Sequence, residues 1–229
     1  MAFLGILVPL FVVGLIVTAA VAVMRARAGN GHGITFPVIL LAYVSTAMFI
    51  SIFLVAVGSA LLIKPALGGI IGTDFSYNNE PQRRYSGESS LTETWVDPSD
   101  DAIRNDIAGG VTLVFVGVTL FAIHGVAAAA LRRRQAQGEQ LISRAYNLLG
   151  LAMASIGFLG GGGSAVHDVL KRYLLDTGGP HSWEWETPHP GGALATAIVF
   201  LPLALWFGWR VWQEFALEAP AEGKPSADT

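Results

Sequence analysis

The sequence predicts an all-α integral membrane protein that crosses the bilayer five times, and three observations carry that prediction. Hydrophobic residues make up 52% of the 229-residue chain and charged residues only 14%, with a mean hydropathy of +0.53. An ordinary soluble domain carries roughly 25% charged residues. The apolar residues come as long runs, each near or beyond the ~20 residues that take a helix across ~30 Å of hydrocarbon. Lys and Arg gather beside the ends of these runs. In lipid only helices and closed barrels satisfy their backbone, so runs of this length read as helices.

The first run, Phe3–Met24, has Arg25 and Arg27 after it and no basic residue before it. A cleaved secretory signal shows the reverse order. Read as a retained anchor, it puts the amino terminus outside and the 25–33 loop in the cytoplasm. Residues 1–33 thus form an N-terminal membrane anchor with its inner loop.

The second run, Ile34–Ile63, is expected to leave the membrane at Lys64-Pro65, with Gly68-Gly69 closing the helix. Residues 64–106 then read as one long outer loop, with four basic residues against eight acidic ones. Asp97-Pro98-Ser99-Asp100 is a turn and helix start with Ser99 or Asp100 as cap. The third run, Ile107–Leu131, ends in Arg132-Arg133-Arg134, which marks the inner side. Residues 34–131 therefore make a first helical hairpin.

Residues 135–143 form a short polar connection, so the third and fourth helices are expected to be antiparallel neighbours. The fourth run goes from Arg144 to Tyr173 through four consecutive glycines, Gly160–Gly163, and on to His167-Asp168. An outer loop, 174–190, carries Trp183, Trp185, His181 and His189, residue types that suit the headgroup level. The fifth run, Gly191–Trp212, ends with Trp206, Trp209, Arg210 and Trp212 on the inner side. Residues 132–215 form a second hairpin. Ala216–Thr229, rich in Ala, Pro, Glu and Ser, reads as a disordered cytoplasmic tail. The result is N-out, C-in, and Lys171-Arg172 is the one basic pair at an outer end, placed there by snorkelling.

The second run has Ala42-Tyr43 near its start and Gly58-Ser59-Ala60 further on. The fourth has Ala145-Tyr146 and Gly163-Ser164-Ala165. Phe115–Phe121 and Phe200–Trp206 are likewise similar in character. Helices two–three and four–five therefore read as two copies of one hairpin in the same orientation, the parallel kind of repeat also found in transporters.

Arg144-Ala145-Tyr146, together with Arg104 and the following Gly117-x-x-x-Phe121-x-x-His124, resembles a bacterial multi-span membrane domain family of unknown function. Paired helices in that family start near Arg-x-Leu-Tyr and end in Gly-x-Pro-x-Trp-x-x-His-Trp. Here Phe121 stands for the tryptophan, Gly125 follows His124, and Gly208-Trp209 replaces His-Trp. The resemblance spans residues 34–215 and implies paired helices without implying an activity.

Absence of cysteine removes thiol catalysis, disulfides, iron–sulfur ligation and thiolate zinc sites. The formal net charge of −3 offers no basic surface for nucleic acid. No phosphate loop, dinucleotide fingerprint or Ser-His-Asp set stands out, and the chain reads as no enzyme and as needing no cofactor.

Ionisable residues near the spans are the remaining candidates. His124 and His32 are the one histidine pair at the inner side and the only possible bis-histidine haem ligands. At the outer side His167, His181 and His189 are possible metal ligands beside Asp168, Glu184 and Glu186, although no fixed helical spacing sets them on one face. Gly157, Gly160, Gly161, Gly163 and Ser164 form a small-residue surface for helix packing. The alternative is a helix unwound at the glycines.

The expected function is a non-catalytic accessory or scaffold subunit of a larger assembly in a bacterial cytoplasmic membrane. Its partners are the bilayer and other membrane subunits. A small transporter or channel subunit using the glycine-rich helix is the alternative, followed by a haem- or pigment-binding electron-transfer subunit.

Overall fold

A computed structural model of the chain describes residues 36–77, 82–84, 94–96, 98–132, 139–175 and 189–218. The first apolar run, His32, most of the 174–190 loop with His181, and residues 219–229 lie outside them.

Four long helices account for nearly all of the described residues: α1 (Phe36–Ile71), α3 (Pro98–Arg132), α4 (Glu139–Leu170) and α5 (Pro190–Glu218). They correspond to the second to fifth apolar runs. Each contains a segment long and apolar enough to cross a membrane. A four-residue helix α2 (Thr73–Ser76) follows α1, and a short antiparallel ribbon pairs β1 (Gln82–Arg84) with β2 (Thr94–Val96). One π-helical turn, Lys171–Leu175, extends α4.

The helices overshoot their apolar runs, and each overshoot has a local cause. At 1.5 Å per residue α1 is ~54 Å long, well beyond the ~30 Å of hydrocarbon. It does not stop at Lys64-Pro65. Pro65 sits inside the helix, where it removes one backbone hydrogen bond. The helix ends instead at Gly72, whose φ of 136° is open to glycine, and Gly72 N–H donates to Gly68 O at 3.0 Å. Gly68 and Gly69 are helical rather than terminating. A Cβ on Gly68 would touch Ser76 and Tyr77, so this glycine makes room for the chain folding back.

Helix α3 starts nine residues before Ile107, with Pro98 as first helical residue, a position where its missing N–H costs nothing. Ser99 and Asp100, expected as the cap, therefore lie inside the helix. Asp100 and Asp101 in the first turn suit the positive end of the helix dipole. Much of the expected 64–106 loop is thus helix and ribbon. α5 likewise runs to Glu218, past the expected start of a disordered tail.

The four long helices form two antiparallel hairpins. α3 packs along α1, α4 packs along α5, and the hairpins meet mainly through α1 and α5, with a lighter contact between α1 and α4. The order across the bundle is α3, α1, α5, α4, and α1 is the most enclosed. Its Leu41, Phe49, Phe53 and Ala56 share a core with Ile142, Tyr146 and Ala154 of α4 and Phe200 and Phe207 of α5. Phe49 lies 4.8 Å from Phe53 and 5.9 Å from Tyr146, and Phe53 lies 6.0 Å from Phe200, between ring centroids. Lipid tails are as apolar as these rings, so close packing and polar ties, rather than escape from water, hold the helices together. The bulk of Phe115, Leu159, Leu205 and Trp212 points outward, as a lipid-facing surface requires.

Candidate functional site

The glycine-rich stretch comes first because the alternatives for this chain turn on it. α4 passes through Gly160–Gly163 as unbroken α-helix, and among the described glycines only Gly72 has a positive φ. The four glycines divide by face. A Cβ on Gly161 would lie 2.9 Å from Ala197 N and 3.0 Å from Ala193 O, and one on Gly157 or Gly150 would run into the ring of Phe200 or Phe207. Gly150, Ala154, Gly157 and Gly161 thus let α5 approach α4 closely. Gly160, Gly162 and Gly163 have open space around them. Of the expected packing set, Gly157 and Gly161 serve the internal seam, while Gly160, Gly163 and Ser164 do not.

The first hairpin has the same kind of seam. A Cβ on Gly58 would lie 2.8 Å from Gly110 O and from Leu113 Cβ, and one on Gly117 would lie 2.9 Å from Ser51 O. The buried Ser51 hydroxyl donates to Ala47 O at 2.6 Å, so no polar group is stranded there.

Beyond the seams, at the end of the bundle away from Arg132, two polar clusters form. In the first, Lys64 of α1 pairs with Asp106 of α3 at 2.9 Å, and the Tyr77 hydroxyl donates to the same Asp106 Oδ2 at 3.0 Å. The Lys64 ammonium also stands 4.3 Å from the centre of the Tyr77 ring, a cation–π contact. Burial and then the Asp106 carboxylate push the Tyr77 phenol above its ordinary value, since both disfavour the phenolate.

In the second cluster, Arg172 donates to the Asp74 carbonyl at 2.7 Å and to its carboxylate at 2.8 Å. His189 Nδ1 donates to that carbonyl at 3.0 Å. Asp74 follows α1, Arg172 follows α4 and His189 precedes α5, so this cluster ties the two hairpins together. It also gives Arg172 a partner at this end, where the sequence suggested only snorkelling, while Lys171 is exposed. Ser76, 2% exposed, packs against Gly191, and its hydroxyl is the buried side-chain polar group without a hydrogen-bond partner among the described residues.

Near the Arg132 end, Tyr146 is inside and Tyr43 is outside. Tyr146, 8% exposed, donates to Ala42 O at 3.2 Å and contacts the Thr46 hydroxyl, joining α4 to α1. Tyr43, 59% exposed, meets His124 of α3 edge-on at 5.7 Å. His124 Nδ1 donates to Leu120 O at 2.8 Å. Asn147 donates to Glu214 at 2.7 Å, linking α4 to α5. Arg144, Leu148, Val211, Glu214 and Phe215 line a shallow groove of ≈ 50 Å³ beside that bond, room for a water or two rather than a substrate.

The candidate ligands do not assemble into one site among the described residues. His124 and His167 lie near opposite ends of the bundle, while His32 and His181 lie outside the described residues. His167 is exposed, and His189 is bonded to Asp74. Among the described residues no three His, Asp or Glu side chains gather as a metal cage. Lys64, Asp106, Tyr77 and Asp74, read from the sequence as loop residues, and Arg172, read as a snorkelling helix end, are the ones that organise this end. The signal available was a Lys directly after one apolar run and an Asp directly before the next.

No family model matches the chain, and neither the curated proteins nor the solved structures contain a match to it. The likeness of its helix ends to the bacterial multi-span domain therefore stands on those residues alone.

Proposed function

We propose that this chain is a non-catalytic scaffold or accessory subunit of a larger assembly in a bacterial cytoplasmic membrane. The observation that carries the reading is how α4 uses its glycines. Three of them, Gly150, Gly157 and Gly161, seat α5, three meet no other described residue, and the helix stays intact throughout. A transporter that exposes backbone carbonyls to an ion needs the helix to unwind, and nothing in α4 favours that alternative. The polar groups beside the spans point the same way, since Lys64, Asp106, Arg172, Asp74, Asn147 and Glu214 are all spent on joining helices. In this reading the Arg132 end faces the cytoplasm and the Asp74 end lies outside.

The two hairpins are read as copies, with a register that differs from the one the sequence suggested. Gly58 follows Tyr43 by fifteen residues, and Gly161 follows Tyr146 by fifteen. Gly58 meets Gly110, Leu113 and Val114, and Gly161 meets Ala193, Thr196 and Ala197, triplets with identical internal spacing. These contacts match Gly58 with Gly161, not Gly163, and Gly117, not Phe115, with Phe200.

The test is purification of the intact protein in mild detergent, with a visible spectrum and identification of co-purifying chains. We expect a colourless sample with other membrane proteins bound. A haem or pigment band would replace this reading with the electron-transfer one.

A further inference from the structure

The two hairpins pack in series rather than around a two-fold axis. With such an axis along the membrane normal, the contact of α1 with α5 would be matched by one of α4 with α3. α3 and α4 make no comparable contact. The packing is therefore heterologous, with one kind of surface meeting a different one, and among the described residues it leaves an unpaired surface of each kind at the two ends of the row.

Both unpaired surfaces can be named. Phe49, Phe53 and Ala56 of α1 belong to the core shared with α5. In the register set by the seam glycines their counterparts on α4 are Ala152, Ile156 and Leu159, all exposed. On α5, Val199 and Leu203 pack against the core around Phe53 and Phe200. Their counterparts on α3 are Val116 and Leu120, followed one turn later by the exposed Ile123.

On the reading of the hairpins as copies, we propose that a second copy of this chain docks here, with α4 of one protomer lying against α3 of the next. The contact repeats across the chain boundary the one that α1 makes with α5 inside it. Directions agree. α1 and α5 are antiparallel, α4 and α3 are antiparallel, and the second copy keeps the same orientation in the membrane as the first. No Lys, Arg, Asp or Glu lies on α4 between 152 and 163 or on α3 between 111 and 126, so no charge is buried by the docking. Open space at Gly160 and Gly163 lets the incoming helix approach as closely as α5 approaches Gly157 and Gly161.

The absence of cysteine makes the test direct. Ile156→Cys and Val116→Cys are combined in one full-length chain and treated in native membranes with a short bis-maleimide. Within a chain α1 stands between α3 and α4, which make no comparable contact with each other, so a short link between these positions joins two chains. Because each protomer then carries one reactive site for each neighbour, the double variant should give a ladder of dimers, trimers and larger species, and either single variant should stay monomeric. Gly163→Leu in the double-cysteine chain should abolish the ladder.

A Phe53→Cys, Phe200→Cys chain serves as control. Its internal link should hold together the fragments made by cleavage between residues 133 and 138, whether or not copies associate. Monomer alone with that link intact would overturn the docking and leave these faces to lipid or to the first apolar run of the same chain. Dimers from Ile156→Cys alone, or a ladder that survives Gly163→Leu, would overturn it too, since both place the contact elsewhere. Loss of the control link would instead overturn the α1–α5 packing and the repeat register drawn from it.

Discussion

The first hairpin ends in charge where the second ends in histidine. Lys64 stands six residues after Gly58 and Asp106 four residues before Gly110, and the two form an ion pair at 2.9 Å. In the second hairpin the same steps from Gly161 and Ala193 arrive at His167 and His189. His167 is exposed, and His189 turns to the carbonyl of Asp74 on the other hairpin. The seams use glycine alike, but the locks differ. α1 and α3 are fastened to each other, whereas the corresponding end of α4 and α5 is fastened to the first hairpin through Arg172 and His189. The difference teaches that the seam decides how two helices pair and the polar end decides to what the pair is attached.

The largest effect that bears on this contrast comes from the seams. Gly58→Leu and Gly161→Leu each push a side chain into backbone atoms less than ~3 Å away, and overpacking of this kind costs about 3 kcal/mol or more. Equal losses in an unfolding titration in mixed detergent are expected, and a loss confined to one hairpin would break the equivalence.

The locks come next. Asp106→Ala leaves Lys64 unpaired and Tyr77 without its acceptor at a site only about a fifth exposed, so a loss of about 2 kcal/mol is expected in the same titration. The hydrogen bond to the Asp74 carbonyl that His189→Ala removes is worth about 1 kcal/mol. If the two losses were equal, the distinction between charged and histidine ends would disappear. Arg172→Ala should cost no more than about 1 kcal/mol, because Asp74 is largely exposed and the pair is screened. The effect of Arg172→Ala should shrink as salt is added.

The smallest effect is one of pH. The Tyr77 phenol is raised above its ordinary value in the folded state, so the folded chain holds that proton more tightly than the unfolded chain. Its contribution is complete below pH ~10, the ordinary phenol value, and is lost as the pH rises beyond it. Tyr77→Phe should therefore flatten the alkaline fall in stability seen in the intact protein. An unchanged alkaline limb would show that Tyr77 does not titrate in contact with Asp106.

Membrane crossing was legible in the sequence, because run length is sufficient for it. The short 135–143 connection misled: the third and fourth helices were expected to be neighbours, whereas α3 packs on α1 and α4 on α5. The glycine seams rather than the length of the connection choose the partner. Helix ends were not legible either. Pro65 and Gly68-Gly69 are reliable stop signals only where nothing packs beyond them, and here α2 folds back to cover that turn. Nor could counting small residues tell Gly161 from Gly160 or Gly163. The choice among adjacent positions depends on the rotation of α4 about its axis, which Phe200, Phe207 and Ala197 fix from another helix. The tie between Asp74 and Arg172 joins residues almost a hundred apart, and no local pattern announces it.

A leucine scan through Gly157–Ser164, read as the unfolding midpoint of the detergent-purified chain, tests most directly the claim that α4 is an intact packing helix. The account predicts steep losses at Gly157 and Gly161, and values near the parent at Gly160, Gly162, Gly163 and Ser164. Similar losses at all four consecutive glycines, with no dependence on helix face, would contradict it and point to an unwound segment.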